Sequence, residues 1–200
     1  VLRMGLPALE VLMGRLAPGR AAGERVRAVR LIGELVQTIK VPQGQIAGFQ
    51  QAVTDVLRLL QSMALERDFS GRAELLCTLG KVAANPLAAR EADTVVMRTL
   101  HEALKSADAM LMPRVIEGLS YIAASRRAQA DTIVSTAGLL HRLLNDMVLD
   151  LSSESKQVNG ESVIEITGVE KFTAILPVVL KGIGRIASSA NCPPLTRQEL

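Results

Sequence analysis

Side chains able to do chemistry are sparse in this 200-residue chain. His101 and His141 stand 40 positions apart, and no acid or thiol at a metal-ligand spacing accompanies either. Cys77 and Cys192 form neither a metal pair nor a redox motif. Cys77 falls on an apolar helix face and is expected as a buried thiol suited to a reducing compartment. Gly182-Ile183-Gly184 lacks the preceding strand that a phosphate-cradling loop requires. No nucleophile–base–acid set and no paired carboxylates can be assigned. The expectation is a protein without catalysis, cofactor or metal.

One polar set remains. Gln37, Lys81, Tyr121 and Arg185 occupy the same place in four copies of a recurring phrase. Stacked in parallel, they would form a ladder of amide, cationic and aromatic groups along one face. Single-stranded nucleic acid uses such groups: Lys and Arg for phosphate, Tyr for stacking, Gln for base edges. The same composition also suits a solvated helix face or a protein contact. Arg114, Arg126 and Arg127 flank the ladder, and Arg20, Arg25, Arg27 and Arg30 cluster near the N-terminus. If these arginines share a groove with the ladder, the basic strip is long.

The phrase defines the elements that position these groups. Leu75-Leu76-Cys77-Thr78-Leu79-Gly80-Lys81-Val82-Ala83 returns as Val115-Ile116-Glu117-Gly118-Leu119-Ser120-Tyr121-Ile122-Ala123. A looser copy runs from Leu31 to Ile39 and a late one from Val179 to Ala187. A second phrase, Glu91–Val96, is echoed by Gln129–Val134. Self-similarity at a period near 40 is the mark of stacked helical hairpins. In the small column Gly80, Ser120 and Gly184 recur, with Val36 as the exception. Glycine inside a helix costs about 1 kcal/mol against alanine, so its recurrence points to close helix approach.

Composition agrees. Hydrophobic residues make up 48% of the chain, Trp is absent, and Tyr121 with three Phe are the only aromatics. A chain rich in Leu and Ala suits helix-on-helix packing better than a β sandwich. The fold class expected is all-α, a right-handed α-solenoid of about four to five antiparallel helical hairpins. Helices are predicted over 6–17, 22–39, 45–64, 72–84, 89–106, 112–124 and 128–149. The repeat units are about 22–64, 72–107, 112–149 and 169–200. Residues 150–168 read as an insertion and the most mobile stretch, with a short strand or helical turn at Val163–Ile166. Thr196-Arg197-Gln198-Glu199 has the form of a capping box opening a further helix. That helix would leave an apolar stripe uncovered, so the 200 residues are expected to be a segment of a longer array, or one covered by a partner protein.

The net charge is +3. Residues 1–44 hold seven basic and three acidic side chains, and Arg outnumbers Lys 17 to 6 over the whole chain. Arginine favours bidentate contact with phosphate or carboxylate. No apolar run is long enough to span a bilayer.

The phrase Leu75–Ala83 with Asn85-Pro86, and Val115–Ala124 with its following helix, resembles helical-hairpin repeats of the octotricopeptide and FAST-kinase-like (heptatricopeptide) kind, over about residues 25–200. HEAT and armadillo repeats form the broader class. The insertion, and the absence of a RAP-type terminal domain from this segment, depart from the family pattern. The resemblance implies a non-catalytic, usually mitochondrial scaffold associated with RNA, in a ribosome, its assembly machinery or an RNA-processing complex. The alternative is a HEAT- or armadillo-like protein–protein scaffold. Under either reading the candidate contact residues are Gln37, Lys81, Tyr121, Arg185, Arg25, Arg27, Arg30, Arg126 and Arg127, and the partners are RNA, protein subunits or both.

Overall fold

Each predicted helix forms, within two residues at most ends, in a computed structural model. It describes residues 5–66, 69–108, 110–158, 161–167 and 169–200, with backbone alone at 90, 152–158, 161–167 and 171. The helices are α1 (Gly5–Gly14), α2 (Ala22–Thr38), α3 (Ile46–Ala64), α4 (Arg72–Ala83), α5 (Arg90–Lys105), α6 (Met112–Ala123), α7 (Ala130–Leu149), α8 (Val169–Ala187) and α9 (Pro194–Glu199). Where an irregular insertion was expected, Ser152–Val158 (β1) and Glu161–Thr167 (β2) pair as an antiparallel hairpin. β2 adds Glu161, Ser162 and Thr167 to the Val163–Ile166 stretch, and β1 pairs with it from Ser152 to Val158.

α2 packs on α4, α4 on α6 and α6 on α8, giving one row of helices. α3, α5 and α7 form a second layer: α3 lies against α4, α5 between α4 and α6, and α7 between α6 and α8. α4 is therefore enclosed on several sides, and Leu75, Leu76, Cys77, Thr78, Leu79, Gly80, Val82 and Ala83 are all buried. α6 is the shared wall of two cores. Val115, Leu119 and Ile122 join the larger core, which extends back to Leu9, while Ile116 and Ala123 join Ile133, Leu140, Ile175, Val179 and Ile186.

Small residues set the spacing of the row. A Cβ on Gly80 would lie 2.3 Å from the Gly118 carbonyl oxygen and 2.4 Å from its Cα. The backbones of α4 and α6 thus touch. One step along, a Cβ on Gly182 would lie 3.3 Å from Ser120 Cβ, and one step back a Cβ on Gly33 would lie 3.0 Å from Thr78 Oγ1. Gly33, rather than Val36, is the α2 counterpart of Gly80 and Ser120. The first copy of the phrase is displaced by three residues, close to one helical turn, because a loose apolar pattern fits several helical registers equally well.

Side chains in the turns lock successive units. Asn85 Nδ2 donates to the Val36 carbonyl at 2.8 Å, while its Oδ1 accepts from Leu87 N. Asn191 Nδ2 donates to the Arg126 carbonyl in the same manner. The expected capping box does not form: α9 begins at Pro194, Pro193 is its N-cap without a side-chain bond, and Thr196 is buried inside it. Proline preset for the first helical turn outcompetes the later threonine.

Candidate functional site

The ladder is brought together at three of its four positions. Lys81 on α4, Tyr121 on α6 and Arg185 on α8 come from consecutive helices of the row, and all three side chains are half-buried. Lys81 Nζ stands 5.5 Å from the centroid of the Tyr121 ring, and Arg185 Cζ stands 3.8 Å from it. The two cations come from the helices flanking α6, and both lie over the ring. Each gains from the negative face of the aromatic system. Arg185 also donates through Nη1 to Ser120 Oγ, and that hydroxyl donates to the Glu117 carbonyl. The Lys81 stem lies over Gly33, where a Cβ would sit 3.2 Å from Lys81 Cδ. Small residues at Gly33 and Ser120 make room for the long side chain of the next helix.

Gln37 is exposed on α2 but misses the rung. With Gly33 as the counterpart of Gly80, the residue matching Lys81, Tyr121 and Arg185 is Glu34, also exposed. No carboxylate pairs with Lys81 or Arg185 among the described residues.

Two helical turns towards the N-termini of α4 and α6, the same face carries a chain of ion pairs. Arg30 Nε is 3.8 Å from Glu74 Oε1, Arg114 Nη2 is 3.0 Å from Glu74 Oε2, and Arg114 Nη1 is 2.8 Å from Glu117 Oε2. Burial pushes the Glu117 carboxyl upward, but hydrogen bonds from Arg114 and Cys77 and the charges of Lys81 and Arg114 hold it below the usual range. Cys77 is fully buried, as expected, and burial followed by the nearby Glu117 charge pushes its thiol up to about 12. It is therefore a packing residue, since the thiolate is the reactive form.

Two of the candidate arginines are committed inside the fold. Arg25 is buried, donates Nε to the Leu16 carbonyl at 3.1 Å, and grips Glu66 with Nη2 at 2.9 and 3.0 Å. Its guanidinium also lies over Phe69 at 5.0 Å. Arg127 donates to the Ala88 carbonyl, to the Ala83 carbonyl at 2.8 Å and to Asp93 Oδ1 at 2.8 Å, tying the α6–α7 turn to the unit before it. Both candidate contact residues thus direct their guanidinium groups to partners within the fold. A guanidinium withdrawn from water favours partners within the fold, which Arg127 finds for both Nη groups but not for Nε, and the sequence showed only their charge. Arg30 joins the ion-pair chain but stays exposed, and Arg27 and Arg126 are exposed. Asn85 and Asn191, which perform the turn locking, gave no signal beyond their place after the repeat phrase.

His101 lies on α5 and His141 on α7. Burial, then the Lys105 charge, lowers the His101 pKa. His141 is exposed and lines an open groove of about 420 Å³ between α7 and α9, with Val134, Ala137, Gly138 and Thr196. Among the described residues no group of three or more His, Cys, Asp or Glu side chains gathers as metal ligands would, and no helix is long and apolar enough to cross a membrane.

No family model matches the chain. No curated protein matches it. A solved structure similar to it is the crystal structure of an engineered protein from the Northeast Structural Genomics Consortium, at 16% identity, covering 96% of this chain and 75% of that one, with a TM-score of 0.48.

Proposed function

We propose that this chain is a non-catalytic helical-repeat scaffold, a right-handed α-solenoid of antiparallel hairpins, that holds RNA along the strip formed by Lys81, Tyr121 and Arg185. The observation that supports this reading is the strip itself. Three consecutive helices bring two cations and an aromatic ring together, and neither cation is in a salt bridge among the described residues. The resemblance to octotricopeptide and FAST-kinase-like repeats supports the RNA association. It also supports a mitochondrial setting, as a subunit of a ribosome, its assembly machinery or an RNA-processing complex.

Salt dependence tests the reading. For a single strand, the slope of log affinity against log salt is about −0.7 for each phosphate neutralised. Titration of labelled single-stranded RNA across a salt series should give a line whose slope becomes shallower in K81Q/R185Q. A flat response removes the proposal.

A second reading, a HEAT- or armadillo-like protein–protein scaffold without nucleic-acid binding, is favoured by the internal use of Arg25 and Arg127. Two of the cations expected to hold RNA are spent on the fold. Under this reading the chain forms a salt-insensitive complex with a protein partner and shows no RNA affinity in the same series.

A further inference from the structure

The expected division of labour along the ladder had Lys and Arg gripping phosphate, Tyr stacking a base and Gln reading base edges. The geometry is compatible with the first role and disfavours the other two. Arg185, 3.8 Å from the ring centroid, and Lys81, 5.5 Å away, both lie over the ring, where a stacking base would sit. Gln37 lies out of register, and the matching rung holds Glu34, which accepts hydrogen bonds but repels phosphate. The cations stand within about 9 Å of each other, the two centroid distances taken end to end. That is of the order of the Debye length at physiological salt, about 8 Å, so an anion over the strip feels both charges. Ser120 Oγ accepts from Arg185 and fixes its guanidinium, and Gly33 seats the Lys81 stem.

Resting on the RNA reading above, we infer that Lys81, Tyr121 and Arg185 form a base-neutral phosphate clamp. Lys81 and Arg185 take the phosphodiester backbone, and Tyr121 is a positioning residue that holds the two cations apart and oriented. Bases on a strand so held face away from the strip and are not discriminated.

The test uses the whole chain and fluorescence anisotropy with labelled oligo(U), oligo(A) and oligo(C) of about twelve nucleotides, a length within the range single-strand binders cover. The three dissociation constants should agree within about threefold, since backbone contacts carry no sequence information. K81Q/R185Q should reduce the magnitude of the salt slope by about 1.4, two contacts at about 0.7 each. Y121F keeps the ring that orients the cations and should bind as the parent does. Y121L should lose affinity equally for all three oligomers, with circular dichroism and thermal melting confirming that it is folded. A preference above about tenfold for one base, or a loss in Y121L confined to one oligomer, overturns the clamp and leaves RNA binding standing. Failure of all three oligomers to bind at low salt overturns both the clamp and the reading beneath it.

Discussion

Adjacent residues of one repeat phrase do opposite work in the seam between helices and on the strip above it. Gly80 and Ser120 lie in the seam, fully enclosed, where a neighbouring backbone or side chain fills the space beside them. Lys81 and Tyr121, one residue on, turn out of it and meet each other and Arg185 at the half-buried rim. A rotation of about 100° per residue separates a position where one methyl group is not tolerated from one where a lysine is. Charge follows the same division. Cations in or under the seam, such as Arg25, Arg114 and Arg127, are matched to carboxylates and carbonyls. Cations on the strip meet an aromatic ring and, for Arg185, a hydroxyl, without a salt bridge among the described residues. Burial favours partners for guanidinium donors, and Arg127 fills its two Nη groups this way although its Nε has none.

The largest effect that would test this contrast is at Gly80. The nearest atoms to an added Cβ are backbone, at 2.3–2.6 Å, and cannot rotate away. G80L should therefore destabilise the chain by more than about 3 kcal/mol, read as a lower urea midpoint or as failure to fold. The strip substitution next to it, K81L, should shift the same midpoint by less than about 1 kcal/mol. Comparable losses at the two positions would break the distinction between seam and rim.

Next comes R127A. It removes three hydrogen bonds and leaves the Asp93 carboxylate, which is only 17% exposed, without its counter-charge. Removing one member of a buried pair costs about 3–5 kcal/mol, and partial exposure puts this one below that range, at about 2–3 kcal/mol. R126A, one residue earlier and exposed, should be nearly silent in the same melt.

The arginine pair 126–127 also shows what the sequence could and could not convey. Helix positions, the stacking of repeat phrases and the placing of Lys81, Tyr121 and Arg185 on one face follow from apolar periodicity, which survives small errors in helix boundaries. The fate of a given arginine depends on where its long side chain ends, several ångströms from a backbone that periodicity alone positions. Arg25 and Arg127 thus looked no different from Arg27 and Arg126. Register in α2 failed for a related reason: Leu31, Ile32, Leu35 and Val36 satisfy the phrase in more than one alignment. Only the contact of Gly33 with Thr78 and Lys81 separates those alignments. The hairpin at 152–167 escaped detection because its β1 strand, Ser-Ser-Glu-Ser-Lys-Gln-Val, has no apolar alternation.

A smaller effect concerns the ion-pair chain that joins seam and strip. Glu117 is held below the usual carboxylate range in the folded state. Its stabilising contribution is therefore complete above its unfolded value, about 4.3, and is lost as pH falls through the lower folded one. E117Q should be less stable than the parent at pH 7, by about 1–2 kcal/mol for lost charge-assisted hydrogen bonds. The two should converge as both are titrated towards pH 3. A gap that persists unchanged at low pH would assign the loss to packing and not to charge.

The smallest stability effects belong to the strip itself, where they carry the most information about function. K81Q and R185Q each give up a cation–π contact worth about 0.5–1 kcal/mol at a partly exposed site, and R185Q also loses the donor to Ser120. The double substitution should cost more than the two single ones summed, because the cations share one ring and repel each other, so removing either alone also relieves that repulsion. A double-mutant cycle in thermal denaturation reads this directly. Full additivity would mean that Lys81 and Arg185 act on Tyr121 independently, so that the strip is three neighbouring side chains and not one coupled unit.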